Sequence, residues 1–99
     1  MTISESLSQF CTSLTRDAIP DPVLSRVKHL LLDAIGIAFA SSRYDFAQCA
    51  LRGVADLGQG SADVIGFREK LSLRDAALVN GILVHGIDYD DTYLPGSIH

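Results

Sequence analysis

Ile3, Leu7, Phe10, Cys11 and Leu14 recur at intervals of three and four with polar residues between them. That is the period of an amphipathic helix, running here to about Arg16. Thr2 stands three positions ahead of Glu5. At this spacing a hydroxyl and a carboxylate each bond the other's backbone N–H and start a helix. Ile19-Pro20-Asp21-Pro22 then breaks the pattern. Asp21 is suited to cap the next helix and Pro22 to fill its first position, where a missing N–H is no loss.

The second helix, expected over residues 23–40, changes character along its length. Its first half sets Val23, Val27 and Leu30 against Arg26, Lys28 and His29, with His29 read as a surface residue. Its second half, residues 30–40, is apolar on every side except for Asp33. A helix apolar all round belongs at the centre of a bundle, surrounded by others. Ninety-nine residues hardly supply enough neighbours, so the folded object is expected to be larger than this chain. Asp33 must be paired, or lie at a contact surface, if it is buried.

Phe46, Ala47, Ala50, Leu51, Val54 and Leu57 mark a third helix, stopped by Gly58-Gln59-Gly60. Residues 62–66 read as a short strand or an extended link. Ser72-Leu73-Arg74-Asp75 repeats the capping-box spacing and opens a fourth helix through Ala76, Val79, Ile82 and Leu83. Gly81 and Gly86 each weaken that helix by about 1 kcal/mol relative to Ala. Such glycines predict that another backbone or a ligand comes close. The expected class is mainly α: the N-terminal part of an all-helical domain, about four helices with at most one short strand.

Composition narrows the function. An apolar content of 47% excludes a disordered chain. The net charge of −4 leaves no basic excess to neutralise phosphates, so nucleic acid is not an expected partner. Three of the 12 acidic residues are Asp88, Asp90 and Asp91, and without them the charge is −1. The charge is thus a property of one place. Cys11 and Cys49 lack metal-ligand spacing and sit on apolar helix faces, so both are expected to be small buried hydrophobes in a reducing compartment. The N-terminus has no basic stretch of the signal-peptide kind. The longest apolar run falls well short of the ~20 residues that span a bilayer. No membrane partner and a cytoplasmic location are expected.

Residues 85–99 hold three carboxylates, the imidazoles of His85 and His99, the Thr92 hydroxyl and the phenols of Tyr89 and Tyr93. Neighbouring buried aspartates repel, which predicts that at least one is pushed to a raised pKa. Acids just past a helix C-terminus also oppose the helix dipole. A sequence that bears that cost usually needs the groups for something else. Asp88-Tyr89-Asp90-Asp91-Thr92 fits two short patterns, that of Mg²⁺-dependent D-x-D-x-T phosphatases and the acid motif of class II terpene cyclases. The first needs an apolar strand leading into the motif, whereas the segment from Ser72 reads as one helix. The second expects aromatic-rich helical repeats, and this chain has no Trp and 7% aromatics. Taken alone, three aspartates and two histidines are also a set that Mg²⁺ or Zn²⁺ accepts.

The wider context is more specific. Ala77-Leu78-Val79-Asn80-Gly81, followed by His85-Gly86-Ile87-Asp88-Tyr89-Asp90-Asp91-Thr92 and then by His99 after a Pro/Gly loop, resembles the MmgE/PrpD family. Residues 30–40 resemble that family's early helix. The family includes 2-methylcitrate dehydratase, cis-aconitate decarboxylase and an iminodisuccinate epimerase. The resemblance implies a lyase that moves a proton beside a carboxylate and releases water or CO₂ from a small polycarboxylic acid. It implies no metal and no organic cofactor. Carried over by position, it implies Asp88, Thr92 and His99 as catalytic residues, His99 only with one extra loop residue. His85, Asp90 and Asp91 take supporting roles.

Members of this family run to several hundred residues, with an α+β domain after the helical one, and the resemblance implies a homodimer at full length. Residues 1–99 are therefore expected to be a partial helical domain, with the C-terminal remainder as partner and little activity alone. None of Lys28, Arg43 or Arg74 is near the motif in sequence, so cations for the substrate must arrive by folding or from elsewhere. A non-catalytic helical remnant or interaction module remains the alternative.

Overall fold

A computed structural model describes residues 1–99. Helix α1 (Ile3–Ser13) begins as the sequence predicts: Thr2 Oγ1 accepts from the Glu5 N–H, and Glu5 accepts from the Thr2 N–H at 2.6 Å. Helix α2 (Asp21–Ser41) starts one step earlier than expected. Pro20 takes the cap position, Asp21 is the first helical residue, and no side chain caps the end. Helix α3 covers Asp45–Ala55 and α4 covers Leu73–His85.

Between α3 and α4 the expected strand finds a partner the sequence reading did not identify. Strands β1 (Ala62–Asp63) and β2 (Lys70–Leu71) pair antiparallel, with Ala62 opposite Leu71 and Asp63 opposite Lys70. Gly66 turns the chain between them at φ +81°, where a Cβ would also meet the Ser42 hydroxyl 2.6 Å away. Asn80 of α4 fastens this hairpin. Its side-chain oxygen accepts from the Ile65 N–H at 2.9 Å, and its amide donates to the Asp63 carbonyl at 3.0 Å. The fold class is mainly α, as expected, with two very short strands.

The buried core consists of Ala38, Ala47, Leu51, Val64, Leu71, Ala76, Val79 and Leu83. Three of these lie on α4, which packs against α2, α3 and both strands. The central helix is therefore α4. The expectation that α2 is surrounded fails within this chain, because Leu31, Leu32, Ile35 and Phe39 are exposed and only Ile37, Ala38 and Ser41 are buried. Helix α1 buries no residue at all. The Cα radius of gyration of 16.5 Å reflects this, against roughly 13 Å for a compact chain of this length. Cys11 and Cys49 are both exposed, contrary to expectation: α1 buries none of its residues, and on α3 Cys49 lies off the face that Ala47 and Leu51 bury.

The fourth helix is capped by half of the predicted box. Ser72 Oγ accepts from the Asp75 N–H, but the Asp75 carboxylate takes the Ser72 hydroxyl proton at 2.7 Å rather than the Ser72 backbone N–H. Arg74 Nε donates to the other carboxylate oxygen at 2.8 Å. These bonds, with that from Arg74 first, carry the Asp75 pKa below the ordinary carboxylate value, although burial opposes them.

Candidate active site

Helix α4 ends at His85, and Gly86 caps it by donating to the Ile82 carbonyl at 2.8 Å. A Cβ at Gly86 would run into the Phe46 ring of α3. That glycine is thus required by close approach, as predicted. Gly81 is not, for open space surrounds it. The chain then reverses: the Asp88 N–H donates to the His85 carbonyl at 2.7 Å, and Asp88 adopts φ +52°. Few residues take this left-handed conformation without glycine's freedom, and Asp is one that does.

A second reversal returns His99 to the motif. Tyr93 and Ile98 pair as an isolated bridge around the 3₁₀ turn Leu94–Gly96, with Tyr93 N–H to Ile98 O at 2.8 Å. Two residues beyond Asp90, the Thr92 hydroxyl donates to the Asp90 carbonyl at 3.1 Å. His99 Nδ1 then lies 3.3 Å from Thr92 Oγ1 and 3.4 Å from Asp90 Oδ2. Two sequence-predicted catalytic residues, Thr92 and His99, are brought together.

The three aspartates separate. Asp90 is the most shielded, its side chain 10% exposed, while Asp88 and Asp91 are 80% and 62% exposed. His85 bonds Asp90 at 3.1 Å rather than Asp88, its neighbour one helical turn away in sequence, because the helix stops at His85. The rings of His85 and His99 meet edge to face, centroids 4.6 Å apart. Asp88 stays at the rim, 4.0 Å from His99 Nδ1.

The expected raised carboxyl is corrected by Asp90. Burial is the largest influence on it and pushes its pKa up. The hydrogen bond from His85, a bond from its own backbone N–H and the charges of His85 and His99 together outweigh burial and leave it lowered. Two histidines, rather than fellow aspartates, surround this carboxylate.

Asp91 faces α2, 3.9 Å from Arg26. There an open cleft of about 610 Å³ runs between α2 and the loop, with Arg26, His29 and Asp33 on one wall and Asp90, Asp91 and Thr92 on the other. Sequence reasoning did not single out Arg26, and His29, read as a surface residue, is indeed exposed on this wall. Their spacing with Asp33 (i, i+3, i+7) does mark one helix face, but nothing in the sequence says which face meets the loop. The strand that a D-x-D-x-T phosphatase requires before its motif is here the helix α4.

The MmgE/PrpD N-terminal domain family matches residues 5–99. A cis-aconitate decarboxylase-like protein, oryM, from Aspergillus oryzae is 30% identical over 98 residues, which are 98% of this chain and 20% of that protein. Cis-aconitate decarboxylase from Aspergillus terreus is 26% identical over the same shares. The Homo sapiens cis-aconitate decarboxylase is 26% identical, covering 96% of this chain and 20% of its own. No solved structure matches the chain. The chain spans about a fifth of the length of the curated relatives it matches. With a match that runs nearly end to end and takes in both the helices and the His85–His99 loop, the chain belongs to the MmgE/PrpD family.

Proposed function

We propose that this segment supplies one wall of the active site of a lyase that dehydrates or decarboxylates a small polycarboxylic acid of the cis-aconitate or 2-methylcitrate kind. The rest of the pocket comes from protein outside these 99 residues. The observation that carries the reading is the approach of His99 Nδ1 to Thr92 Oγ1 and Asp90 in a chain of this family.

The chemistry asks for one proton moved beside a carboxylate. In decarboxylation the C–CO₂ bond breaks, its electron pair passes into the conjugated system, and a carbon takes a proton from an acid. In dehydration a base removes the proton alpha to a carboxylate, and an acid protonates the departing hydroxyl. An imidazole performs either role near neutral pH. His99 is the candidate: Asp90 and Thr92 hold its Nδ1, and Nε2 has no hydrogen bond to the protein. Asp90 fixes the ring as a half-buried anion, and His85 braces Asp90 from the other side. Asp88 and Thr92 present polar groups to substrate hydroxyl or carboxyl groups. Arg26 and His29 face Asp90 and Thr92 across the cleft and are the groups there able to receive a carboxylate, while His99 opens on the neighbouring pocket that shares Asp33, Asp90 and Asp91 with it.

Full-length cis-aconitate decarboxylase from Aspergillus terreus offers the test. Asn at the position aligned with Asp88, or Ala at that aligned with His99, should each lower turnover by ~10² or more. Near-normal rates in a folded variant remove that residue from the site. A second reading, a non-catalytic module that docks on a partner, is favoured by the exposed Leu31, Leu32 and Phe39. It gains if both variants remain active.

A further inference from the structure

We propose that Asp91 holds the place of a substrate carboxylate on Arg26, and that a small polycarboxylate binds by displacing it. The displacement rests on the lyase reading for the class of ligand and adds to it the step by which that ligand gains an anchor. Arg26 reaches the loop from α2, and its Nη2 stands 3.9 Å from Asp91 Oδ1. This is an ion pair without a hydrogen bond, since N–H···O bonds measure about 2.7–3.2 Å. The planar fork of donors on the guanidinium is left open, and a carboxylate that meets it squarely accepts two parallel bonds. Both side chains are largely exposed. A pair of that kind contributes little and exchanges readily.

The charges around the pair give the exchange its sign. In the cleft of about 610 Å³, the size of an ordinary small-ligand site, one guanidinium is set among the carboxylates of Asp33, Asp90 and Asp91. Asp90 is held between His85 and His99. Asp91 directs its charge at Arg26, so an incoming anion meets a cation that is already partly neutralised. Asp91 is thus a competitor of the ligand, and removing its charge favours binding.

Asp91 also borders the pocket onto which His99 opens. Once Arg26 turns to the ligand, Asp91 is released at the edge shared by the two openings, between the anchored carboxylate and the imidazole. A monocarboxylate occupies Arg26 or approaches His99, one at a time. Two or more carboxylates on one small skeleton let a ligand keep the anchor while its reacting end faces His99.

The test follows the Arg26 side-chain N–H signal of the ¹⁵N-labelled 99-residue chain by NMR while tricarballylate is added. This saturated tricarboxylate has no hydroxyl to lose and no double bond to take up electrons, so it reports binding alone. Failure of the lyase reading at His99 therefore leaves the result standing, and failure here leaves the His99 test untouched. The Arg26 signal should shift and saturate, with acetate binding more weakly. Asp91→Asn should tighten binding about 2- to 5-fold, the range of one weak ion pair. Arg26→Gln should loosen it by at least as much, and adding Asp91→Asn to that variant should bring no further gain. Arg52→Gln, on α3 and outside the cleft, should change nothing. Far-UV circular dichroism checks each variant, Asp91→Ser replaces an Asn variant that loses helix, and a chain that self-associates is measured as a fusion to a small soluble carrier. A merely structural Asp91 gives the opposite sign, looser binding in Asp91→Asn. That result, an Arg26 signal indifferent to tricarballylate, or equal tightening with and without Arg26 overturns the proposal.

Discussion

Helices α2 and α4 are both rich in apolar residues, yet their surroundings differ. Val79 and Leu83 of α4 are fully buried among α2, α3 and the hairpin. On α2, the longer of the two, Leu31, Leu32, Ile35 and Phe39 face outward. Apolar content records that a helix is to be covered; it does not record by what. For α4 the cover is local in sequence, and for most of α2 this chain supplies none.

Cutting each helix at one leucine makes the contrast measurable. Leu83→Ala leaves a cavity in the core and should destabilise the chain by about 2–5 kcal/mol in denaturant unfolding. Leu32→Ala, at an exposed site, should stay within about 0.5 kcal/mol. Equal losses would mean that α2 is already covered in solution. A smaller effect is expected where α4 ends. Gly86→Ala forces the Phe46 ring to move and should cost about 1–3 kcal/mol. The same change at Gly81 meets open space and should stabilise the helix slightly.

The smallest loss expected on α4 is at its start. Ser72→Ala removes a cap and should cost about 1 kcal/mol near neutral pH. It also changes the acid limb. Because the Asp75 pKa is lowered in the folded chain, its contribution is present above the ordinary carboxylate value and is lost as pH falls through the lowered one. Losing the Ser72 bond should move acid unfolding, followed by circular dichroism, to higher pH. An unchanged acid limb would assign the low pKa to Arg74 alone.

Much of the fold was legible because its signals are local. The Thr2–Glu5 box and the Ser72 cap lie within one turn of the residues they serve. Tertiary relations were not legible. Lys70-Leu71 carries no strand period of its own and pairs only because Gly66 and Asn80 set the hairpin on α4. The site divides in the same way. The sequence placed the chemistry within residues 85–99 and paired Thr92 with His99 through the family pattern. It could not say which aspartate is shielded most, since that depends on α4 stopping at His85 and on the Tyr93–Ile98 bridge folding the tail back. Nor could it find Arg26, which reaches the cleft through the packing of α2 on α4.

A segment exchange tests the central claim most directly. Residues 1–99 of this chain replace the aligned segment of the Aspergillus terreus enzyme, and CO₂ release from cis-aconitate is compared with that of the same chimera carrying His99→Ala. The account predicts an active chimera whose turnover falls ~10² or more on losing His99. A folded chimera that releases CO₂ equally well with and without that imidazole would contradict it.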